Sequence, residues 1–221
     1  MSRALLRVLT CLLAVGLVAG GTDRVQAQTG SVEGVVTLGT RPPRRSAERY
    51  PGAATQVHAV QEVPAVVFIQ GPVAGSPARP LGTRPVMEQR DTAFVPAALV
   101  VPVGTTVRFP NGDPFFHNVF SYSSPARFDL GRYPRGEAKE VTFDKPGIVK
   151  VYCEVHEFMR AIIAVTESPF AAVADGEGRF RITGIPEGTY TFVVWHPDLD
   201  PVERQVGVRA GQVTRLDAEL R

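Results

Sequence analysis

The sequence predicts an all-β fold. From Ser31 onward, apolar residues either alternate with polar ones or run together over short stretches, the marks of half-covered and fully covered strands. Glycine and proline, 21 and 19 of the 221 residues, punctuate those stretches too often for long helices. No window keeps its apolar residues at helical spacing over a useful length.

The first residues differ from the rest. Arg3 and Arg7 precede an apolar run from Leu9 to Ala19, and Val25-Gln26-Ala27 supplies the small-residue pattern of a cleavage site. These features predict a secretory signal peptide over 1–27. An uncleaved membrane anchor is the alternative, but the run is short for a span, which takes about 20 apolar residues. Cys11 lacks the small residue that a lipoprotein site places before its cysteine, so it is expected to leave with the signal. Cleavage would leave 194 residues (221 less 27), room for one large domain or two small ones. It would also remove Arg3, Arg7, Arg24 and Asp23, leaving 21 basic residues (24 less 3) and 21 acidic ones (22 less 1). That balance gives no electrostatic reason to expect nucleic acid as a partner. The expected location is periplasmic or secreted, with no transmembrane segment after cleavage.

The strands follow in order. Residues 31–38 alternate and stop at Gly39, before the basic loop Arg41-Pro42-Pro43-Arg44-Arg45, which reads as a solvated loop or a docking patch. Residues 65–69 are continuously apolar, as suits a strand covered on both faces, and the Pro/Gly-rich stretch 71–80 behind them is a candidate domain boundary. Strands are expected over 92–96, 98–101 and 105–109. The turn Pro110-Asn111-Gly112-Asp113-Pro114 then feeds 115–120. After 138–143, the turn Asp144-Lys145-Pro146-Gly147 leads into 148–153, where Val149, Val151 and Cys153 share one face by the period of two. Residues 161–165 return. Beyond Ser168 the units are smaller: 171–174, 179–182, 189–195, 204–208 and 213–220, the last with Leu216, Ala218 and Leu220 on one face.

Within this frame, Cys153, His156 and Met159 form a Cys-x2-His-x2-Met motif. Cys153 is the cysteine expected to survive export, where an odd thiol is either a hazard or a ligand. A thiolate, an imidazole and a thioether are three of the four donors of a copper site made from two histidines, a cysteine and a weak axial methionine. His117, at the start of a distant strand, offers the fourth. Donors stapled across two strands make a rigid site, which suits an ion whose two oxidation states prefer different geometries. Singly, these residues have plainer readings: an inert buried thiol, a satisfied core histidine, a gap-filling methionine. Together they favour a metal. Zinc would prefer another cysteine, histidine or carboxylate to methionine, so that Glu154 or Glu157 would have to serve. A Cys–His nucleophile is disfavoured, because His156 on a tight turn is ill-placed for a third orienting group. The chain has four histidines, His58, His117, His156 and His196, too few for the further centres of a multicopper oxidase or reductase, and no enzymatic activity is expected.

These residues resemble the cupredoxin family, the plastocyanin/amicyanin-like type 1 blue copper proteins. The loop spacing is most similar to the amicyanin branch, and Phe116-His117-Asn118-Val119 resembles the segment bearing the first histidine ligand. The match spans roughly 84–166. It implies one type 1 copper ion with His117, Cys153 and His156 as equatorial ligands, Met159 as the axial one, and the Asn118 backbone amide hydrogen-bonded to the ligand sulfur. In one respect the chain departs from the pattern: proline is usual beside the second histidine, and here Glu154 and Glu157 flank it. In the family that histidine's edge is the electron exit, set in an apolar patch. Two carboxylates there would favour a basic redox partner such as a c-type cytochrome, lower the potential, or do neither.

A second resemblance lies outside this part. Asp175-Gly176-Glu177-Gly178-Arg179-Phe180 and Ile185-Pro186-Glu187-Gly188-Thr189-Tyr190 are similar to the carboxypeptidase regulatory-like (transthyretin-like) β-sandwich. That family opens with strands like Val32-Glu33-Gly34-Val35-Val36 and 65–69. The expected architecture is a cupredoxin Greek-key β-sandwich over 84–166 inserted in, or next to, a discontinuous outer sandwich of 28–83 and 167–221. A separate C-terminal domain is the rival layout. The resemblances imply an exported mononuclear copper protein that carries single electrons. The alternatives are a copper carrier or storage protein without a redox role, and a binding module whose metal site has lapsed.

Overall fold

The computed structural model describes residues 29–40, 45–47, 57–77, 79 and 81–221. The expected signal peptide, with Cys11, and most of the basic loop at 41–45 lie outside them. Every regular element among the described residues is a strand. β1 (Thr29–Leu38), β2 (Arg45–Ala47), β3 (Val57–Ala59) and β4 (Val66–Ile69) come first. The middle holds β5 (Glu88–Arg90), β6 (Ala93–Val95), β7 (Ala98–Pro102), β8 (Thr105–Pro110), β9 (His117–Ser123), β10 (Ala126–Tyr133), β11 (Ala138–Phe143), β12 (Gly147–Tyr152) and β13 (Arg160–Thr166). β14 (Ala171–Val173), β15 (Arg179–Pro186), β16 (Gly188–His196), β17 (Leu199–Val208), β18 (Val213–Arg215) and β19 (Ala218–Leu220) complete the chain.

Strands from both ends share sheets. β1 pairs antiparallel with β15 and parallel with β18 and β19, while β4 lies between β14 and β16, with β17 beyond. Between these sheets sits a core that includes Val32, Val67, Ile69, Phe180, Phe192 and Leu220. Close packing explains two glycines of the sequence motifs. A side chain at Gly34 would meet the Leu216 carbonyl, and Gly178, at φ +76°, lies against the Val36 backbone where a β-carbon has no room.

The middle segment makes its own sandwich, a five-stranded sheet in the order β10-β9-β12-β13-β7 with the β11-β8 ribbon. Its core includes Phe94, Phe109, Phe143, Val149, Val151 and Cys153, so the period of two in β12 carries through to the thiol just beyond it. Every residue of β13 is buried. Ala161, Ile163 and Val165 face the middle core, whereas Ile162 and Ala164 join Val63, Val66 and Ala98, with Phe68 and Trp195 packed alongside. This third core welds the two sandwiches; each of Val63, Val66 and Ile162, fully buried in it, contributes about 1.5–3 kcal/mol.

Several elements depart from expectation: β2, β3 and β5 were not anticipated, and β17 begins at Leu199, ahead of the expected 204–208. β10 was not anticipated, although Ala126, Phe128 and Leu130 pack inward, because a register shift between Asp129 and Arg132 around Gly131 interrupts its alternation. The final stretch divides into β18 and β19 at Leu216-Asp217. There the Asp217 side chain stands in for a strand carbonyl, accepting from the Val35 amide at 2.8 Å.

Candidate metal centre

The turn before β9 is held by Asn111, whose side-chain nitrogen donates to the Phe115 and Tyr133 carbonyls at 2.9 and 3.0 Å and whose side-chain oxygen accepts from the Asp113 amide at 2.9 Å. His117 therefore enters the core at a fixed point, fully buried. Cys153 follows β12 on its inward face. The loop beyond it closes on itself, the Met159 amide donating to the His156 carbonyl at 2.9 Å. It is tied to β9 as well, because the Glu154 amide donates to Asn118 Oδ1 at 2.6 Å.

Three donors converge. Cys153 Sγ lies 3.6 Å from His117 Nδ1 and 4.0 Å from His156 Nδ1, and the two nitrogens are 3.1 Å apart. An ion about 2.0–2.1 Å from nitrogen and about 2.3 Å from sulfur, in the plane of three such donors, would hold them roughly 3.5–3.8 Å apart. The side chains present fit a metal ion of that size. Met159 is fully buried in the same core cluster as Cys153. Neither Glu154 nor Glu157 belongs to the donor group, nor does His196, at the end of β16.

Second contacts set the charge of the site. His117 Nε2 meets Asp113 Oδ2 at 2.8 Å, both side chains buried. A carboxylate can only accept, so Nε2 carries the hydrogen and the neutral ring keeps its Nδ1 lone pair toward Cys153. The same carboxylate accepts from the amides of Asp91 and Thr92 at 2.7 and 3.0 Å, residues that both take φ 55° at the tip of the β5–β6 hairpin. Burial works against a charged Cys153. The adjoining His117 ring and the Asn118 and His156 amides outweigh it and hold the thiol below its usual range. Burial likewise opposes a charged His117, and Cys153 and Asp113 overcome it, raising the imidazole. A lowered thiol eases the loss of the proton that a bound cation would displace.

Around the partly exposed His156 stand the rings of Phe115 and Phe158, at 5.5 and 5.6 Å. Phe116 and Val155 are 55% and 40% exposed. Glu154 extends to Arg132 at 3.5 Å across open surface, a pair that contributes little to stability. Of the residues singled out in the sequence, the structure brings His117, Cys153 and His156 together and buries Met159 in the same core; Asp113 had been read only as part of a turn. Its one signal was a carboxylate four residues before a candidate ligand.

Residues 84–166 match the family model of copper binding proteins, plastocyanin/azurin family, and residues 159–221 match that of the carboxypeptidase regulatory-like domain. The two matches share 159–166, the end of the loop and the strand buried on both faces. Among solved structures, the chain is similar to a copper-containing nitrite reductase from Thermus scotoductus SA-01, at 29% identity over 41% of this chain and 25% of that one, with a TM-score of 0.37. It thus spans a quarter of the reductase's length. It is also similar to a mutant of amicyanin in the reduced state, at 24% identity over 45% of this chain and 97% of that one, TM-score 0.36. The Cu(I) form of another amicyanin mutant is 25% identical over 46% of this chain and 98% of that one, TM-score 0.36. No curated protein sequence matches the chain.

Proposed function

We infer that this chain, which joins a segment of the plastocyanin/azurin copper-binding family to a carboxypeptidase regulatory-like segment, is an exported carrier of single electrons built on one type 1 copper ion. The observation that carries this reading is the convergence of Cys153 Sγ, His117 Nδ1 and His156 Nδ1 on one largely buried point. Copper bound there would supply one-electron chemistry. Cys153, His117, His156 and Met159 would hold it. Asp113 fixes the His117 ring. The proposed units are a middle sandwich over 84–166 and an outer one from 28–83 with 167–221, the latter a support rather than a catalyst. The 1–27 signal directs export.

The edge of His156 is the electron exit. Its apolar rim of Phe115, Phe116, Val155 and Phe158 suits brief docking of a redox protein such as a c-type cytochrome, since little charge must be desolvated there. Arg132 offsets the charge of Glu154, so the acidity of this rim is smaller than the loop sequence alone implies.

Optical and EPR spectra of the copper-loaded protein test the reading. An intensely blue Cu(II) form is expected, lost in Cys153→Ser; a colourless one would overturn it. Rapid electron exchange with a c-type cytochrome is the expected behaviour of a carrier of electrons, whereas transfer of the metal itself would mark a copper carrier.

A further inference from the structure

Met159 is gripped from outside its own sandwich on both sides. Gln61, in the segment that leads into β4, donates its backbone N–H to the Phe158 carbonyl at 2.9 Å. Its carbonyl accepts from Arg160 Nε at 2.9 Å. Its side chain closes the clamp, the amide oxygen accepting from the Phe94 N–H at 3.0 Å and the amide nitrogen donating to the Phe94 carbonyl at 2.6 Å. From the far end of the chain Asp198, in the turn between β16 and β17, receives the Arg160 guanidinium through two parallel bonds of 2.7 and 2.6 Å. The two side chains are only 10% and 8% exposed.

We propose that Gln61, Arg160 and Asp198 form a strut through which the outer sandwich positions Met159. A planar guanidinium held in a two-pronged bond fixes direction as well as distance, and here it fixes the residue next to the methionine. Gln61 fixes the residue on the other side. A shift of the methionine backbone would therefore disturb bonds to Gln61 and, through Arg160, to Asp198 of the outer sandwich. A greasy contact would join two sandwiches equally well, since replacing a buried ion pair by apolar side chains often leaves stability unchanged or improved. What the ion pair adds is orientation. In type 1 sites the axial ligand tunes the reduction potential, so the outer sandwich becomes part of the redox centre. The strut matters to a bound ion only if the copper reading holds; its grip on the loop does not depend on that reading.

The experiment uses the full chain and three variants. Asp198→Asn removes one charge, and the pair Arg160→Met with Asp198→Leu removes both together, so that no buried charge is stranded if the single variant fails to fold. Phe192→Leu loosens the outer core away from the strut. In the metal-free protein, the strut variants are expected to lose about tenfold or more in hydrogen-exchange protection at the Met159 and Arg160 amides, beyond any change in Phe192→Leu. In the copper-loaded protein they shift the reduction potential, and Phe192→Leu does not. Unchanged exchange at 159–160 would overturn the strut. So would faster exchange with an unmoved potential, or an equal shift of potential in Phe192→Leu. A wild-type protein that takes copper without turning blue sinks the copper reading instead, and the exchange measurement still decides whether the strut holds the loop.

Discussion

Asp113 Oδ2 and His117 Nε2 meet at 2.8 Å in a buried contact that connects the tip of the β5–β6 hairpin to the candidate metal centre. Asp113→Asn keeps the shape and loses the charge that would make His117 a stronger ligand in the proposed site. Copper affinity is expected to fall about 10–100-fold, as for other partners of metal-bound histidines. Competition titration against a chelator measures it. Asp113→Ala should also destabilise the fold by about 1–3 kcal/mol, because the Asp91 and Thr92 amides lose their acceptor. Unchanged affinity in Asp113→Asn would mean that packing alone orients His117.

Because the three donors are already gathered, copper should bind the folded chain far more tightly than the unfolded one. At a free concentration 100 times the dissociation constant, the ion adds about 2.7 kcal/mol to stability. Urea unfolding with and without copper reads this directly. Cys153→Ser is expected to lose most of the increment, and an equal increment in that variant would place the ion elsewhere.

Ile162 occupies the core between the sandwiches, 1% exposed. Truncation to alanine is expected to cost about 2–5 kcal/mol, the range for large-to-small changes at sites of this kind. Two probes would report separately: Trp195, the one tryptophan of the chain, packs on that core from the outer side, and the chromophore of the proposed copper site would report from the middle sandwich. Coincident unfolding curves are expected in the wild type. Curves that separate in the wild type would show that the third core does not couple the two units.

Alternation and turn residues made most strands legible, and the same period of two placed Cys153 on the inner face of its strand. β13 was legible as a strand, while the partners covering its two faces were not, since an apolar run says that both sides are covered and not by what. Asp113, Gln61 and Asp198 escaped for a different reason. Arg160 meets Asp198 across 38 residues and Gln61 across 99, and a charge or an amide in a sequence carries no direction. β10 was lost where its irregular register broke the alternation.

Asp217 sits where the last stretch divides, bonded to the Val35 amide and, through both oxygens, to Arg215 Nε at 2.9 Å. Arg215 first, then the Val35 amide, hold its carboxyl below the ordinary value of 3.8. A carboxyl lowered on folding releases its proton more readily in the native state. Its contribution is therefore complete above the unfolded value and is lost as the pH falls through the folded one. The group is exposed, so the effect is small and sensitive to salt. Asp217→Asn keeps an acceptor for Val35 and discards the charge. The gap in urea midpoint between wild type and variant should be steady from neutral pH to about pH 5 and close below that. A gap that persisted in acid would assign the contribution of Asp217 to the shape of its hydrogen bond, and the charge on the β18–β19 junction would then do nothing for the outer sandwich.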